Sequence, residues 1–183
     1  MRITPIEKED KTGRIITLRN AEISDAENLI TYMKITSFET PFLLREPDEF
    51  HLTSEQEECF IQNTIDNPRE LMLLATADGC HIGNCSLSGA GPFKRYQHRC
   101  QIAIALYQKY WGCGIGQMML STILSVAREL EYEQAELEVA ANNTSAVALY
   151  KKLGFQTYGT FPDNMKYADG SYTDMLWMMK KLI

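Results

Sequence analysis

The segment from residue 100 to residue 140 restricts the possible folds more than any other part of the chain. An apolar run, CQIAIAL (100–106), leads into the glycine-rich loop YWGCGIG (110–116) and then into apolar residues that recur at helical spacing. An alternating run, AELEVA (135–140), follows. This order predicts a strand, a loop, an amphipathic helix and a second strand that pack as one unit.

The flanking segments predict further strands and helices. Before the unit, the patterns predict a strand over 14–19, two amphipathic helices, and a hairpin that turns at Asp78 and Gly79. After it, they predict a helix over 142–155 and two strands around a turn at Asp169 and Gly170. The combination indicates the α+β class, with a mixed sheet and helices on both of its faces.

Composition narrows the class of protein. The 183 residues suit one domain, which we place at 14–183 after a polar leader at 1–13. A net charge of −6 argues against nucleic acid as a partner, and no segment has the length and apolarity of a membrane span. The five cysteines form no CxxC pair, so we expect a cytoplasmic protein without a disulfide framework. The sequence leaves open whether the chain forms a homodimer.

The glycine loop has the features of an anion-binding site. A loop of this kind at the start of a helix directs free backbone N–H groups and the positive end of the helix dipole at one point, which suits a phosphate. A nucleotide-hydrolysing P-loop would need Lys and then Ser or Thr after its last glycine, where this chain has Gln117 and Met118. The dinucleotide fingerprint G-x-G-x-x-G is not matched either.

Two motifs carry a resemblance to one family. The loop WGCGIG resembles the pyrophosphate-binding motif Q/R-x-x-G-x-G/A of the GNAT acyltransferases, and NTSAVALYKKLGF (143–155) is similar to that family's N-x-x-A-x-x-L-Y-x-x-x-G-F segment. Both stand in the family's order and spacing. The resemblance implies a mixed, largely antiparallel sheet whose two central strands splay apart to hold the pantetheine arm of an acyl-CoA. It also implies acetyl-CoA as the co-substrate.

The resemblance assigns a set of cofactor-binding residues. One central strand would contact the pantetheine through its backbone, the loop would hold the pyrophosphate, and a helix-capping asparagine would contact CoA. These residues are Ile104, Ala105, Leu106, Trp111, Gly112, Cys113, Gly114, Ile115, Gly116, Gln117 and Asn143. Trp111 departs from the family motif, in which Gln or Arg usually occupies this position.

The resemblance also suggests two catalytic residues, by similarity to bacterial enzymes that acetylate the N-terminus of a ribosomal protein. Glu138 would act as the base on the amine, and Tyr150 would protonate the departing thiolate. The pattern by itself favours structural roles, a solvent-facing strand residue for Glu138 and a packed helix residue for Tyr150. His98 is an alternative base, whereas Gln101, at a position where some relatives carry Glu, cannot accept a proton.

The expected function is therefore N-acetylation of a primary amine, on a small molecule or a peptide, by direct attack on acetyl-CoA. The alternative is a non-catalytic module that binds acyl-CoA as a sensor. The tail YADGSYTDMLWM resembles a family pattern near the acceptor entrance, which would offer a cationic amine Tyr167, Asp169, Tyr172 and Asp174. Asp169 with Gly170 can equally be only a turn.

No metal site is expected. The possible metal-binding side chains in the middle of the chain match no common zinc spacing; they are Cys80, His81, Cys85, His98 and Cys100.

Overall fold

A computed structural model describes every residue from Met1 to Ile183. The strands are β1 (Ile6–Glu9), β2 (Ile15–Asn20), β3 (Leu71–Ala77), β4 (Cys80–Gly89), β5 (Arg99–Leu106), β6 (Gln134–Ala140), β7 (Gln156–Lys166) and β8 (Tyr172–Lys181). The helices are α1 (Ala26–Glu39), α2 (Ser54–Asp66), α3 (Ile115–Glu129) and α4 (Thr144–Lys152). No helix combines the length and the apolar character that crossing a membrane requires.

The eight strands form one open sheet in the order β1-β2-β3-β4-β5-β6-β8-β7. Every neighbouring pair is antiparallel except β5 and β6, which are parallel and are connected through α3. The predicted α+β class and the mixed, largely antiparallel sheet are therefore confirmed.

Helices cover both faces of the sheet, as the sequence predicts. Strand β3 is buried along its whole length, and alternate residues of a strand point to opposite faces. Leu71 and Leu73 belong to the larger core, which contains the apolar side of α3, whereas Met72 and Leu74 belong to a smaller core beneath α1 and α2.

Local sequence signals set several element ends. The hydroxyl of Thr53 accepts a hydrogen bond of 3.3 Å from the Gln56 amide, and the Gln56 side chain accepts one of 3.0 Å from the Thr53 amide, which together cap α2. Gly79 in the β3–β4 turn and Gly154 after α4 have φ values of 74° and 87°. Glycine adopts this left-handed conformation without a steric cost, so both turns depend on it.

The first residues, expected to be only a polar leader, belong to the sheet. Strand β1 pairs with β2, and the Met1 ammonium donates hydrogen bonds to carbonyl oxygens at and beyond the end of α2, including Ile65 at 2.9 Å and Asn67 at 2.6 Å. The segment IEKE carries a single apolar residue, so its own pattern gives no strand signal. Pairing with β2 supplies the hydrogen bonds that make it a strand.

Candidate active site

Strands β5 and β6 separate after a short parallel contact. They pair at three positions, Arg99–Gln101 of β5 with Gln134–Glu136 of β6. Beyond them, β5 continues to Leu106 and β6 to Ala140 without pairing to each other. A cavity of about 1070 Å³ lies in this gap and is lined by both strands. The splayed central strands expected from the sequence are therefore present.

The free edge of β5 presents backbone groups to the cavity. The Tyr107 amide donates to the Ile82 carbonyl at 3.1 Å, which fixes the alternation of backbone groups along β5. The backbone groups of Ala105 therefore point to β4, and those of Ile104 and Leu106 point into the gap. Of the three residues predicted to contact pantetheine, Ile104 and Leu106 direct backbone groups into the gap, whereas Ala105 has its backbone engaged with β4.

The loop from Gly112 to Gln117 is a nest of free amides. None of its six backbone N–H groups donates a hydrogen bond within the protein. Gly112 and Gly114 have φ values of 75° and 88°, a conformation that side chains disfavour, and α3 begins directly after Gly114. The free N–H groups and the positive end of α3 together form a suitable site for a phosphate.

Side chains of the loop have separate roles. The indole Nε1 of Trp111 donates a hydrogen bond of 2.9 Å to the Leu106 carbonyl, which ties the loop to the end of β5. The Gln117 side-chain oxygen accepts a hydrogen bond of 2.9 Å from Lys152 Nζ. Cys113 is not among the residues that line the cavity, so it can contribute there only through its backbone.

Helix α4 brings Asn143 and Tyr150 to the cavity wall. Asn143 Oδ1 accepts a hydrogen bond of 3.3 Å from the Ala146 amide and caps α4, which leaves its amide nitrogen free. Tyr150 is only 7% exposed, and burial raises the pKa of its hydroxyl. The hydroxyl therefore holds its proton at neutral pH and is able to donate it.

Two carboxylates of β6 lie at the end of the cavity where β5 and β6 still pair. Glu136 accepts hydrogen bonds from Arg99 Nε at 2.5 Å and Nη2 at 2.6 Å. Burial alone would raise the pKa of Glu136, but hydrogen bonds from Arg99 and Gln134 outweigh it and lower the pKa. Glu138 lies on the same face of β6, is exposed and makes no ion pair, so its carboxylate is free to act on a ligand.

Aromatic side chains complete this end of the cavity. Trp177 stands opposite Glu138 in the register of β6 and β8, and Tyr158 stacks on Trp177 with ring centroids 6.3 Å apart. Other residues that line the cavity are Phe42, Leu43, Leu44, Ser86, Ser88 and Gln101.

Some residues that the sequence suggested as parts of the active site lie outside the cavity. His98 does not line it, and neither do the tail residues Tyr167, Asp169, Tyr172 and Asp174. The Asp169 carboxylate instead accepts a hydrogen bond of 2.9 Å from the Ser171 amide and holds the β7–β8 turn. The tail reaches the cavity through Met175 and Trp177. No group of three or more His, Cys, Asp or Glu side chains is arranged to hold a metal ion.

A known family matches this arrangement. The model of the acetyltransferase (GNAT) family matches residues 35–155, which is more than half of the chain. The chain belongs to the GNAT family. The matched stretch contains both sides of the gap, the glycine loop and Tyr150. The protein is accordingly an acetyl-CoA-dependent N-acetyltransferase that acts on an amine.

Three GNAT relatives illustrate the likeness. An N-alpha-acetyltransferase of Sulfurisphaera tokodaii is 27% identical over 164 residues, which cover 88% of this chain and 92% of that protein. A GNAT acetyltransferase from Streptococcus pneumoniae has a TM-score of 0.86 at 28% identity, covering 91% of this chain and 99% of that one. The protein yncA from Salmonella typhimurium, solved with its cofactor acetyl-CoA, shares the fold at 17% identity and a TM-score of 0.81, covering 92% of this chain and 94% of that one.

Sequence reasoning missed four side chains of this GNAT site, Arg99, Glu136, Tyr158 and Trp177. One signal was available for Glu136, because a residue two positions before Glu138 on a strand lies on the same face. Tyr158 and Trp177 gave no comparable signal, since they reach the cavity through the pairing of β8 with β6 and β7.

Proposed function

We propose that this GNAT enzyme acetylates primary α-amines by direct attack, with Glu138 as the base and Tyr150 as the acid. One observation carries the proposal: a single cavity joins the free amides of the 112–117 loop to the Glu138 carboxylate and includes Tyr150 in its wall. Acetyl-CoA supplies the thioester that the amine attacks. The residues of this chain bind it, orient it and move the protons.

The loop and the gap suit the two halves of CoA. The free N–H groups of the 112–117 loop would hold the pyrophosphate, where side chains would block close approach of its oxygens. Gly116 lies in tight packing, because a methyl group there would stand 3.3 Å from Leu149 and 3.4 Å from Leu106. The backbone of Ile104, the Leu106 amide and the Asn143 side-chain nitrogen remain available to the pantetheine arm.

Tyr150 has the properties of the acid. A thiolate that leaves a thioester needs a proton, and a donor in the cavity wall supplies it without the thiolate having to reach bulk water. Burial keeps the Tyr150 hydroxyl protonated, and no hydrogen bond from the protein competes for it. These two facts support its assignment as the donor.

Glu138 has the properties of the base. Of the two carboxylates in the cavity, Glu136 is held by Arg99 in two hydrogen bonds, which leaves Glu138 as the free one. Gln101 cannot accept a proton from an amine, and His98 does not line the cavity. We therefore assign proton removal from the acceptor amine to Glu138.

The charge of the acceptor end favours an amine without a free carboxylate. Glu138 attracts a cationic amine. Arg99 and Glu136 neutralise each other in their ion pair, so no cation is left there to receive an acceptor carboxylate. Trp177 and Tyr158 offer an apolar surface to a neighbouring side chain. Peptide N-termini and amino-acid amides fit this description, and the name of the Sulfurisphaera tokodaii relative, an N-alpha-acetyltransferase, agrees with it.

We also place the enzyme in the cytoplasm. All five cysteines are free, and Cys59 and Cys80 are exposed. Exposed free thiols suit a reducing compartment better than an oxidising one.

The test is acetyl-CoA-dependent thiol release with matched acceptors. Phenylalaninamide and a short peptide are compared with free phenylalanine, a polyamine and an aminoglycoside. We expect kcat/KM for the amide to exceed that for the free amino acid by about tenfold or more, because the free acid brings an unpaired carboxylate to Glu138. A preference for the free amino acid would contradict the acceptor assignment. CoA binding without turnover on any acceptor would contradict catalysis and favour the sensor.

A further inference from the structure

The turn of the β1–β2 hairpin rests on the glycine loop. The Lys11 amide donates a hydrogen bond of 3.0 Å to the Cys113 carbonyl. The Arg14 guanidinium lies over the Tyr110 ring, 5.0 Å from its centroid, and its Nη2 lies 3.5 Å from Cys113 Sγ. The hairpin therefore touches the loop through both backbone and side chains.

The Lys11 side chain crosses the start of α3. A methyl group added to Gly114 would stand 3.3 Å from Lys11 Cγ, 3.4 Å from Cε and 3.6 Å from Cδ. The apolar stem of Lys11 thus packs over the glycine that opens α3, and Lys11 belongs to the cavity wall. Its ammonium group is carried to the same loop that presents the free amides.

Lys11 differs from the other basic side chains of the cavity, which are Arg99 and Lys152. Arg99 forms an ion pair with Glu136, and Lys152 donates to the Gln117 side chain. No ion pair or hydrogen bond involves the Lys11 ammonium. An unpaired cation beside a nest of neutral backbone N–H groups adds a full positive charge to the site.

We propose that Lys11 binds a phosphate group of CoA, so that the β1–β2 hairpin forms part of the cofactor site. Lys11 lies outside the stretch that matches the GNAT family model, residues 35–155. The contact is therefore made by a segment that the family model does not include. The proposal rests on the placement of the CoA phosphates at the 112–117 loop.

Calorimetric titration tests the proposal without depending on turnover. Wild type, Lys11→Met, Lys11→Arg and Lys8→Met are titrated with CoA and with 3′-dephospho-CoA at low and high salt. Lys8 is the matched control, because it is an exposed lysine of β1 that does not line the cavity. Thermal unfolding of each variant shows whether the fold is intact.

We expect Lys11→Met to weaken CoA binding by about 5- to 30-fold at low salt, and by less at high salt, because a charged contact is lost. Lys11→Arg retains most of the affinity, and Lys8→Met binds as wild type does. An equal loss with both ligands assigns the contact to the pyrophosphate, and a loss with CoA alone assigns it to the 3′-phosphate. As a further control, kcat/KM with S-acetylpantetheine, which has neither group, does not change.

Two results would overturn the proposal. One is unchanged CoA affinity in a folded Lys11→Met protein. The other is an equal loss of kcat/KM with S-acetylpantetheine, which would make the effect structural. Wild-type protein that does not bind CoA would instead contradict the proposed function, so the two failures are distinguishable.

Discussion

The indole nitrogen of Trp111 donates a hydrogen bond of 2.9 Å to the carbonyl oxygen of Leu106, the last residue of β5. This bond uses one of the backbone groups that β5 directs into the gap. It also fixes the distance between the strand that would contact the pantetheine and the loop that would hold the pyrophosphate. A residue that departs from the family motif therefore acts as a brace between the two halves of the cofactor site.

Replacement of Trp111 by Phe removes this brace and keeps an aromatic ring. We expect the KM for acetyl-CoA to rise by about 2- to 10-fold with little change in kcat, since one neutral hydrogen bond is worth about 0.5–1.5 kcal/mol. Steady-state kinetics with the best acceptor measures both the KM for acetyl-CoA and kcat. Trp111→Gln, which restores a residue usual in the family motif, serves as the comparison. An unchanged KM in Trp111→Phe would show that the bond does not organise the site.

Replacement of Tyr150 by Phe removes the proposed acid. We expect kcat to fall by about 10- to 10³-fold with little change in CoA affinity, because the thiolate loses its proton donor. Since burial raises the pKa of Tyr150, wild-type kcat does not decline up to pH 9 through loss of this proton. Tyr172→Phe, an exposed tyrosine outside the cavity, is the control and retains wild-type kcat. Equal kcat in wild type and Tyr150→Phe would reject the assignment.

Replacement of Glu138 by Gln removes the proposed base. An α-amine has a pKa of about 7.7–8.0, so only roughly a tenth of it is neutral at pH 7. We expect a large loss of kcat/KM near pH 6.5 that shrinks toward pH 9, where the amine is neutral without help. Glu133→Gln, also exposed and outside the cavity, tests the loss of charge alone. A loss of the same size at every pH would point to a structural role.

The sequence predicted the parts of the site that depend on local pattern. The glycines of the loop, the cap at Asn143 and the stripe that carries Tyr150 follow from residues near one another in the chain. The acceptor end could not be predicted in the same way, because Trp177 meets Glu138 only through the register of β8 on β6. The position of Lys11 at the glycine loop could not be predicted either, since only the pairing of β1 with β2 brings the turn between them to the loop.

Replacement of Gly114 by Ala tests the geometry of the loop. The residue has a φ of 88°, and the new methyl group would meet the Lys11 stem. We expect a loss of about 1 kcal/mol in the free energy of unfolding and at least about threefold weaker CoA binding. Gly170→Ala is the matched control, because its φ is 85° and no atom lies within 4 Å of the added carbon. We expect Gly170→Ala to lose a similar free energy of unfolding to Gly114→Ala and to keep the wild-type affinity for CoA. Equal CoA affinities in the two variants would contradict the role of the loop.

Replacement of Asp10 by Asn tests the turn that carries Lys11. The Asp10 carboxylate accepts hydrogen bonds from the Thr12 amide at 2.7 Å, the Thr12 hydroxyl at 2.6 Å and the Arg14 amide at 3.1 Å. Hydrogen bonding, chiefly from the Thr12 hydroxyl, lowers the pKa of Asp10 from 3.8 to about 2. The ionised carboxylate therefore stabilises the fold above pH 3.8, and this contribution is lost as the pH falls through about 2.

We accordingly expect Asp10→Asn to unfold at lower urea concentration than wild type at pH 7, and the difference to narrow between pH 4 and pH 2. CoA binding at pH 7 also weakens, because the turn no longer holds Lys11 against Gly114. Asp169→Asn separates the two effects. Hydrogen bonds from Ser171 lower the pKa of Asp169, so this variant shares the acid dependence, but it lies outside the cavity and keeps its CoA affinity. If both variants weakened CoA binding equally, the effect would come from general destabilisation and not from the hairpin.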